Sequence, residues 1–269
     1  MSDVAFRCDS TCTVRLWAVA VALALTVAMT PANAAVTFRG SAPGNDPGET
    51  NSATATFALS VSGTTTNLVI TLANTAMYKP NDGPDILTSV FFTLAGDPML
   101  TRVSGLLNAG CCVVESGTNL TIAGGVIGGS WAYAASLWGA PGSANEGISS
   151  AGCSLLGPCE LFPGSRLPGD WNPPEGIGGG LTSIVDDGSK YNGSLFGRPF
   201  IKDSAVFTLG NVPASLTVSE ISNVSFGYGS TPDQVIDAMM VPEPTAVTLA
   251  AAGLLSLASF SRRRIRNKS

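Results

Sequence analysis

From Ala53 to Val61 the apolar side chains fall on every second position, Ala53, Ala55, Phe57, Leu59 and Val61, with Thr54, Thr56 and Ser60 between them. A period of two places one set of side chains on one face, so this stretch is fitted to a half-buried strand and not to a helix. Leu68, Ile70 and Leu72 repeat the pattern after Ser62-Gly63-Thr64, which predicts a β-hairpin. Further strands are expected at 36–39, 86–94, 119–122, 130–134, 181–185, 205–209, 216–218 and 221–228. The turns between them are marked by Asn81-Asp82-Gly83-Pro84, Gly96-Asp97-Pro98, Asp187-Gly188 and Asn211-Val212-Pro213. No amphipathic helical period interrupts the series. The fold class is therefore all-β, with residues 35–241 forming a single β-sandwich or jelly-roll-like ectodomain. Residues 139–180 are rich in Gly, Pro and Ser, lack periodicity, and are expected to be a loop excursion or cap. Ser89-Val90-Phe91-Phe92-Thr93-Leu94 is echoed by Ser204-Ala205-Val206-Phe207-Thr208-Leu209, an echo that two strands of similar burial would explain.

The two ends have a different character. Residues 1–34 combine Arg7 and Arg15, an apolar run from Leu16 to Met29, and Ala32 and Ala34 in an A-x-A arrangement. Such a three-part segment is a secretory signal, with cleavage expected after Ala34 to leave Ala35 first. Cys12 precedes the apolar run, the wrong context for a lipoprotein cysteine. At the other end Val241-Pro242-Glu243-Pro244 is followed by apolar and small residues over 245–261, then by Arg262, Arg263, Arg264, Arg266 and Lys268. As a helix that run would reach roughly 25 Å, enough to cross a bilayer, with the basic tail 262–269 kept on the cytoplasmic side.

The order of these parts, Val241 to Pro244, a short apolar stretch and the cluster of Arg262, Arg263 and Arg264, resembles the PEP-CTERM sorting signal of surface proteins of Gram-negative bacteria. The resemblance covers residues 241–269. It implies recognition by an exosortase, a membrane transpeptidase-like enzyme that cuts at or near Pro-Glu-Pro, often in bacteria that make extracellular polysaccharide. Residues 83–92, 129–133, 147–152 and 221–226 also look like segments of uncharacterised PEP-CTERM ectodomains. No activity comes with that second likeness.

Chemistry is narrowed by what is missing. The chain has no His, which removes Ser-His-Asp and Cys-His catalysis and His-ligated metals. Charged residues are only 12% of the sequence, and residues 35–241 hold seven basic side chains against sixteen acidic ones. An acidic body resists nucleic acid and anionic polymers, although divalent cations would bridge it to the latter. Asp82/Asp85 and Asp186/Asp187 sit in Gly- and Asn- or Ser-containing turns, where Asx turns are the ordinary use and a calcium site the sharper one. Paired acids would also serve glycoside hydrolysis if they faced each other across a sugar. Gly147-Ile148-Ser149-Ser150-Ala151 faintly resembles a nucleophile elbow, but with no His to activate either serine an ordinary loop is expected.

Four cysteines remain after signal removal, Cys111, Cys112, Cys153 and Cys159, and an exported chain favours disulfides among them. Either Cys111 and Cys112 each bond one of Cys153 and Cys159, or Cys153 bonds Cys159 alone. A zinc site from the four thiolates lacks the usual C-x-x-C spacing. Trp131, Tyr133 and Trp138, with Trp171 further on, flank the Gly-rich region and would stack on sugar rings or brace a loop.

These features predict a non-catalytic, exosortase-processed structural protein of the cell surface or extracellular matrix, with no metal, no cofactor and no nucleic acid. Its expected partners are signal peptidase and exosortase during export, the membrane before processing, and extracellular polysaccharide. A surface carbohydrate-binding module is the alternative, and a secreted hydrolase the third reading.

Overall fold

The computed structural model describes residues 35–115, 120–123, 125–151, 162, 165–169, 177–189, 193–231 and 235–242. The chain divides into two units at Ala34/Ala35, the first of which lies outside the described residues. Sixteen strands follow among the described residues of the second. They are β1 (Ala35–Pro43), β2 (Thr50–Ser62), β3 (Thr65–Asn74), β4 (Leu87–Thr93), β5 (Thr101–Leu107), β6 (Cys112–Glu115), β7 (Leu120–Ala123) and β8 (Ala132–Ala135). After these come β9 (Glu146–Ser149), β10 (Ser165–Arg166), β11 (Leu181–Thr182), β12 (Pro199–Lys202), β13 (Ser204–Gly210), β14 (Ser222–Tyr228), β15 (Val235–Asp237) and β16 (Met239–Val241). One sheet has the order β16-β1-β2-β3-β13-β5. The other runs β10-β8-β9-β4-β11-β12-β6-β7, with β14 also on β4 and β15 on β14. All pairings are antiparallel except β11 with β12. Among the described residues the protein is mostly β-sheet, no helix reaches seven residues, and the sheets form a half-barrel.

The expected hairpin forms, and its alternation in burial holds up to Phe57; at the tip Leu59 is half-buried and Val61 exposed. Ala53, Ala55 and Phe57 on β2 and Leu68, Ile70 and Leu72 on β3 are fully buried, while the threonines between them are half-buried. Ser62 pairs with Thr65, and Gly63, at φ 63°, supplies the positive φ that a two-residue hairpin turn requires. Rings join the two sheets across the core: Phe57 meets Phe92 edge-on at 5.2 Å, and Trp131 lies 4.8 Å from Phe207.

β4 and β13 share a sequence pattern but not a burial pattern. β13 alternates, with Ala205, Phe207 and Leu209 inward and Val206 and Thr208 half-buried. β4 is buried on both faces. Phe92 and Val90 enter the main core, whereas Phe91 packs in a second cluster with Ala132, Ala134, Ala144 and Phe162. Similar burial therefore does not explain the echo; a strand covered on both sides reads as a continuous apolar run.

Two expectations are corrected. Residues 139–180 are not simply an excursion, because Glu146–Ser149 forms β9 between β4 and β8. Its glycine is what the packing needs: a Cβ on Gly147 would come within 3.0 Å of Phe91 and Leu137 and 3.1 Å of Phe162. The expected strand at 216–218 is instead a loop leading into a 3₁₀ turn at Val218–Glu220, closed by a capping box between Thr217 and Glu220. Buried Leu216 and Val218 with exposed neighbours imitate a strand's alternation.

Candidate functional site

The two segments that adjoin the expected processing points are neighbours. β1 begins at Ala35 and β16 ends at Val241, and the two strands pair as Thr37–Val241, Phe38–Met240 and Arg39–Met239. Before this, Asp237 pairs with Ser225 in the other sheet and the Ala238 N–H donates to the Val224 carbonyl at 2.9 Å, so the chain crosses between sheets within two residues. Gly40 makes that crossing possible, because a Cβ there would stand 2.8 Å from the Asp237 carbonyl oxygen. β16 has no buried face: Met239 is 79% exposed and Val241 40%. Backbone ladder bonds at a sheet edge, rather than side-chain packing, hold the last strand. Pro242 follows it, exposed. Ala32, Ala34, Glu243, Pro244, Arg262, Arg263 and Arg264 lie outside the described residues, as does the expected span 245–261. Among the described residues no helix is long and apolar enough to cross a membrane.

The aromatic candidates separate. Trp131 is fully buried, donating its indole N–H to the Gly179 carbonyl at 3.0 Å. Tyr133 is buried too, its hydroxyl donating to Glu146 and accepting from the Leu100 N–H at 3.3 Å. Neither ring is open to a sugar, which corrects the expectation for both: each carries a polar tip with a partner inside the core and an apolar body that fills it. Trp138 is 99% exposed, on the turn between β8 and β9. Trp171 lies outside the described residues.

Carboxylates brace turns. Asp85 accepts from the Asn81 and Asp82 N–H groups at 2.8 and 3.2 Å on one oxygen and from the Tyr78 hydroxyl at 3.1 Å on the other. Burial pushes its carboxyl up, and these N–H donors oppose that. Asn45 bonds Asp82 at 3.2 Å and Asn81 bonds Asp46 at 3.0 Å, tying two turns together. Asp186 accepts from Thr182 at 2.6 Å and from the Gly188 N–H at 2.9 Å, an Asx turn. Asp187 is held well below the usual carboxylate range by hydrogen bonds from Lys79 and Ser189. Among the described residues no three His, Cys, Asp or Glu side chains converge to hold a metal.

Ser149 and Ser150 sit in and beside a buried strand, not on an elbow or a surface loop. Ser149 Oγ lies 2.6 Å from Ser89 Oγ and 2.9 Å from the Ala151 carbonyl oxygen, and Ser150 Oγ donates to the Thr88 carbonyl at 3.4 Å. These hydroxyls satisfy backbone groups. Cys111 and Cys112 are half-buried and not disulfide-bonded. Cys111 Sγ is 3.4 Å from Asp203 Oδ2 and 3.3 Å from Ser204 Oγ. Cys153 and Cys159 lie outside the described residues. No family model, curated protein or solved structure matches this chain.

One buried acid escaped sequence reasoning. Glu146 is fully buried in β9, one oxygen accepting from Tyr133 and the other without a partner among the described residues. Burial pushes its carboxyl up to about 8; the Tyr133 hydrogen bond lowers it and the nearby Asp97 charge raises it further. A single Glu in a Gly- and Ser-rich stretch carries no periodic signal of burial.

Proposed function

We propose that this chain is an exported, exosortase-processed protein of the cell surface or extracellular matrix, with no catalytic role and with a β-sandwich body. The observation that carries the reading is the pairing of β1 with β16. The strand that starts at Ala35 and the strand that stops at Val241 are joined antiparallel at one sheet edge. Cutting after Ala34 and near Pro242-Glu243-Pro244 would therefore leave every described strand whole. Pro242 and Pro244 lack backbone donors, and prolines at this spacing favour extended backbone, the form that a protease-like cleft accepts. The order of events is membrane insertion by the N-terminal signal, a membrane-held intermediate with the basic tail inside, and release of the body to the surface.

Amino-terminal sequencing of envelope protein is expected to begin at Ala35. A start at Met1 overturns the export signal. Carboxy-terminal peptides from a native host should lack residues 262–269, and an exosortase-deletion strain should retain them. Their presence on surface protein from both strains would make the tail a plain anchor. The carbohydrate-binding alternative retains Trp138 alone of its three proposed contacts.

A further inference from the structure

Strand register places several features at one pole of the fold. In the first sheet Ala35 pairs with Ala58, Ala58 with Val69, and Val69 with Thr208. The start of β1, the β2–β3 hairpin, the end of β13 and the start of β5 consequently share one end. In the second sheet Thr93 pairs with Ser222, Phe92 with Glu146 and Glu146 with Ala135. Residues 94–100 connect the end of β4 to the start of β5, which makes the two ends the same pole. Hydrogen bonds lace it together: the Ser136 N–H and hydroxyl donate to Asp97 at 3.1 and 2.6 Å, and the Asn145 side chain bonds both backbone groups of Leu94 at 2.9 Å.

This pole displays large apolar side chains on turns that are firmly bonded. Trp138 and Met99 lie on the two turns joined by Asp97 and Ser136, and Met99 is 78% exposed. Val61, 71% exposed, stands on the hairpin that runs past Ala35. Leaving a Trp wholly in water forfeits the hydrophobic return of one of the largest apolar surfaces in the repertoire. The opposite pole is built from the turn after Pro43, the segment 75–86 and residues 183–189. It holds Asp46, Glu49, Asp82, Asp85, Asp186 and Asp187, with Lys79 bonded to Asp187. Exposed Met77 and Ile184 sit among these acids, which an anionic lipid surface repels.

Where the chain goes next decides what the apolar pole faces. β16 runs antiparallel to β1, so beyond Val241 the backbone heads out past the Ala35 end. Only Pro242, Glu243 and Pro244 separate Val241 from the apolar run 245–261, a reach of about 10 Å at full extension. Resting on the reading of residues 242–269 as a membrane-held sorting signal, we propose that the Ala35/Val241 pole lies against the outer lipid interface of that membrane, with Trp138 and Met99 seated among the headgroups. An indole carries an apolar body and one N–H donor, which suits that layer. The acidic pole then points away from the bilayer, and the membrane holds the body in a fixed orientation with Pro242 at the lipid surface.

The test uses the chain after signal removal, Ala35 to Ser269, so that the apolar run 16–29 cannot hold it to lipid, reconstituted into vesicles of phosphatidylethanolamine and phosphatidylglycerol carrying brominated acyl chains and compared with Trp138→Phe. Flotation with the vesicles after an alkaline wash reports the anchor. Tryptophan quenching by brominated lipid and by aqueous iodide reports Trp138, and the difference between wild type and variant removes the other tryptophans. Lipid quenching that falls in Trp138→Phe, with iodide quenching unchanged, is the expected result. A chain that floats but loses an iodide-quenched component in the variant, with lipid quenching unchanged, overturns the proposal and leaves the anchor standing. Emission from Trp138 that responds to added cellohexaose and not to brominated lipid overturns it in favour of sugar binding. Failure to float removes the sorting-signal reading and the proposal with it. Because Trp138 is 99% exposed, the substitution is expected to leave folding intact.

Discussion

Replacing Trp131 by Ala should destabilise the fold by about 3–5 kcal/mol, the cost of emptying a large aromatic site that the surroundings only partly refill. The indole rests on Phe207 of the first sheet and its N–H satisfies the Gly179 carbonyl, so the substitution opens the seam between the sheets and orphans a buried acceptor. Trp131→Phe keeps most of the apolar volume and should cost less, chiefly the orphaned carbonyl at about 1–3 kcal/mol. Trp138→Ala is the internal control, since an exposed side chain away from special features changes stability by roughly 0.5 kcal/mol or less. Urea denaturation of the three variants checks the ordering. Equal midpoints for Trp131→Ala and Trp138→Ala would show that Trp131 does not bridge the sheets. The result also governs any sugar-binding assay, because loss of binding in Trp131→Ala would report unfolding.

The hairpin, β1, β13 and β14 were legible because they are buried on one face or bounded by strong turns. Ala53 to Val61 announces its strand through the pleat alone. β9 was illegible for a physical reason: it is buried on both sides, one side demands glycine at 147, and the other holds a carboxyl group. Neither requirement leaves an alternating apolar pattern. β5 was missed because Thr101-Arg102-Val103 is exposed on the sheet edge and Gly105 must pass a neighbouring backbone, where a Cβ would meet the Gly128 Cα at 3.0 Å. β16 is three exposed residues, defined only by their backbone pairing with β1. The aromatic candidates failed differently. Sequence placed Trp131, Tyr133 and Trp138 together within eight positions, but the strand that follows Trp131 buries the first two and the turn after β8 expels the third.

That same turn and the buried acid beneath it link stability to pH. Folding moves Glu146 from water, where a glutamate ionises near 4.5, to a site where its carboxyl ionises near 8. Between those values the folded protein holds a proton that the unfolded chain has released, so the folded state is favoured on acidification. The contribution is fully present below about pH 4.5. It is lost progressively as pH rises through about 8. Tyr133 from β8 and Asp97 from the turn after β4 are the groups that act on it; the tyrosine hydroxyl stabilises the carboxylate and the aspartate opposes it. Glu146→Gln keeps the shape and the hydrogen bond from Tyr133 while removing the ionisation. The variant should therefore nearly match wild type near pH 5 and exceed its stability near pH 9 by on the order of 4 kcal/mol, as a shift of this size implies. Urea midpoints at pH 5, 7 and 9, within the span where Gln does not titrate, measure the difference. Parallel pH profiles for the two proteins would mean that Glu146 ionises in the folded state as it does in water, and that the interior at β9 is open to solvent.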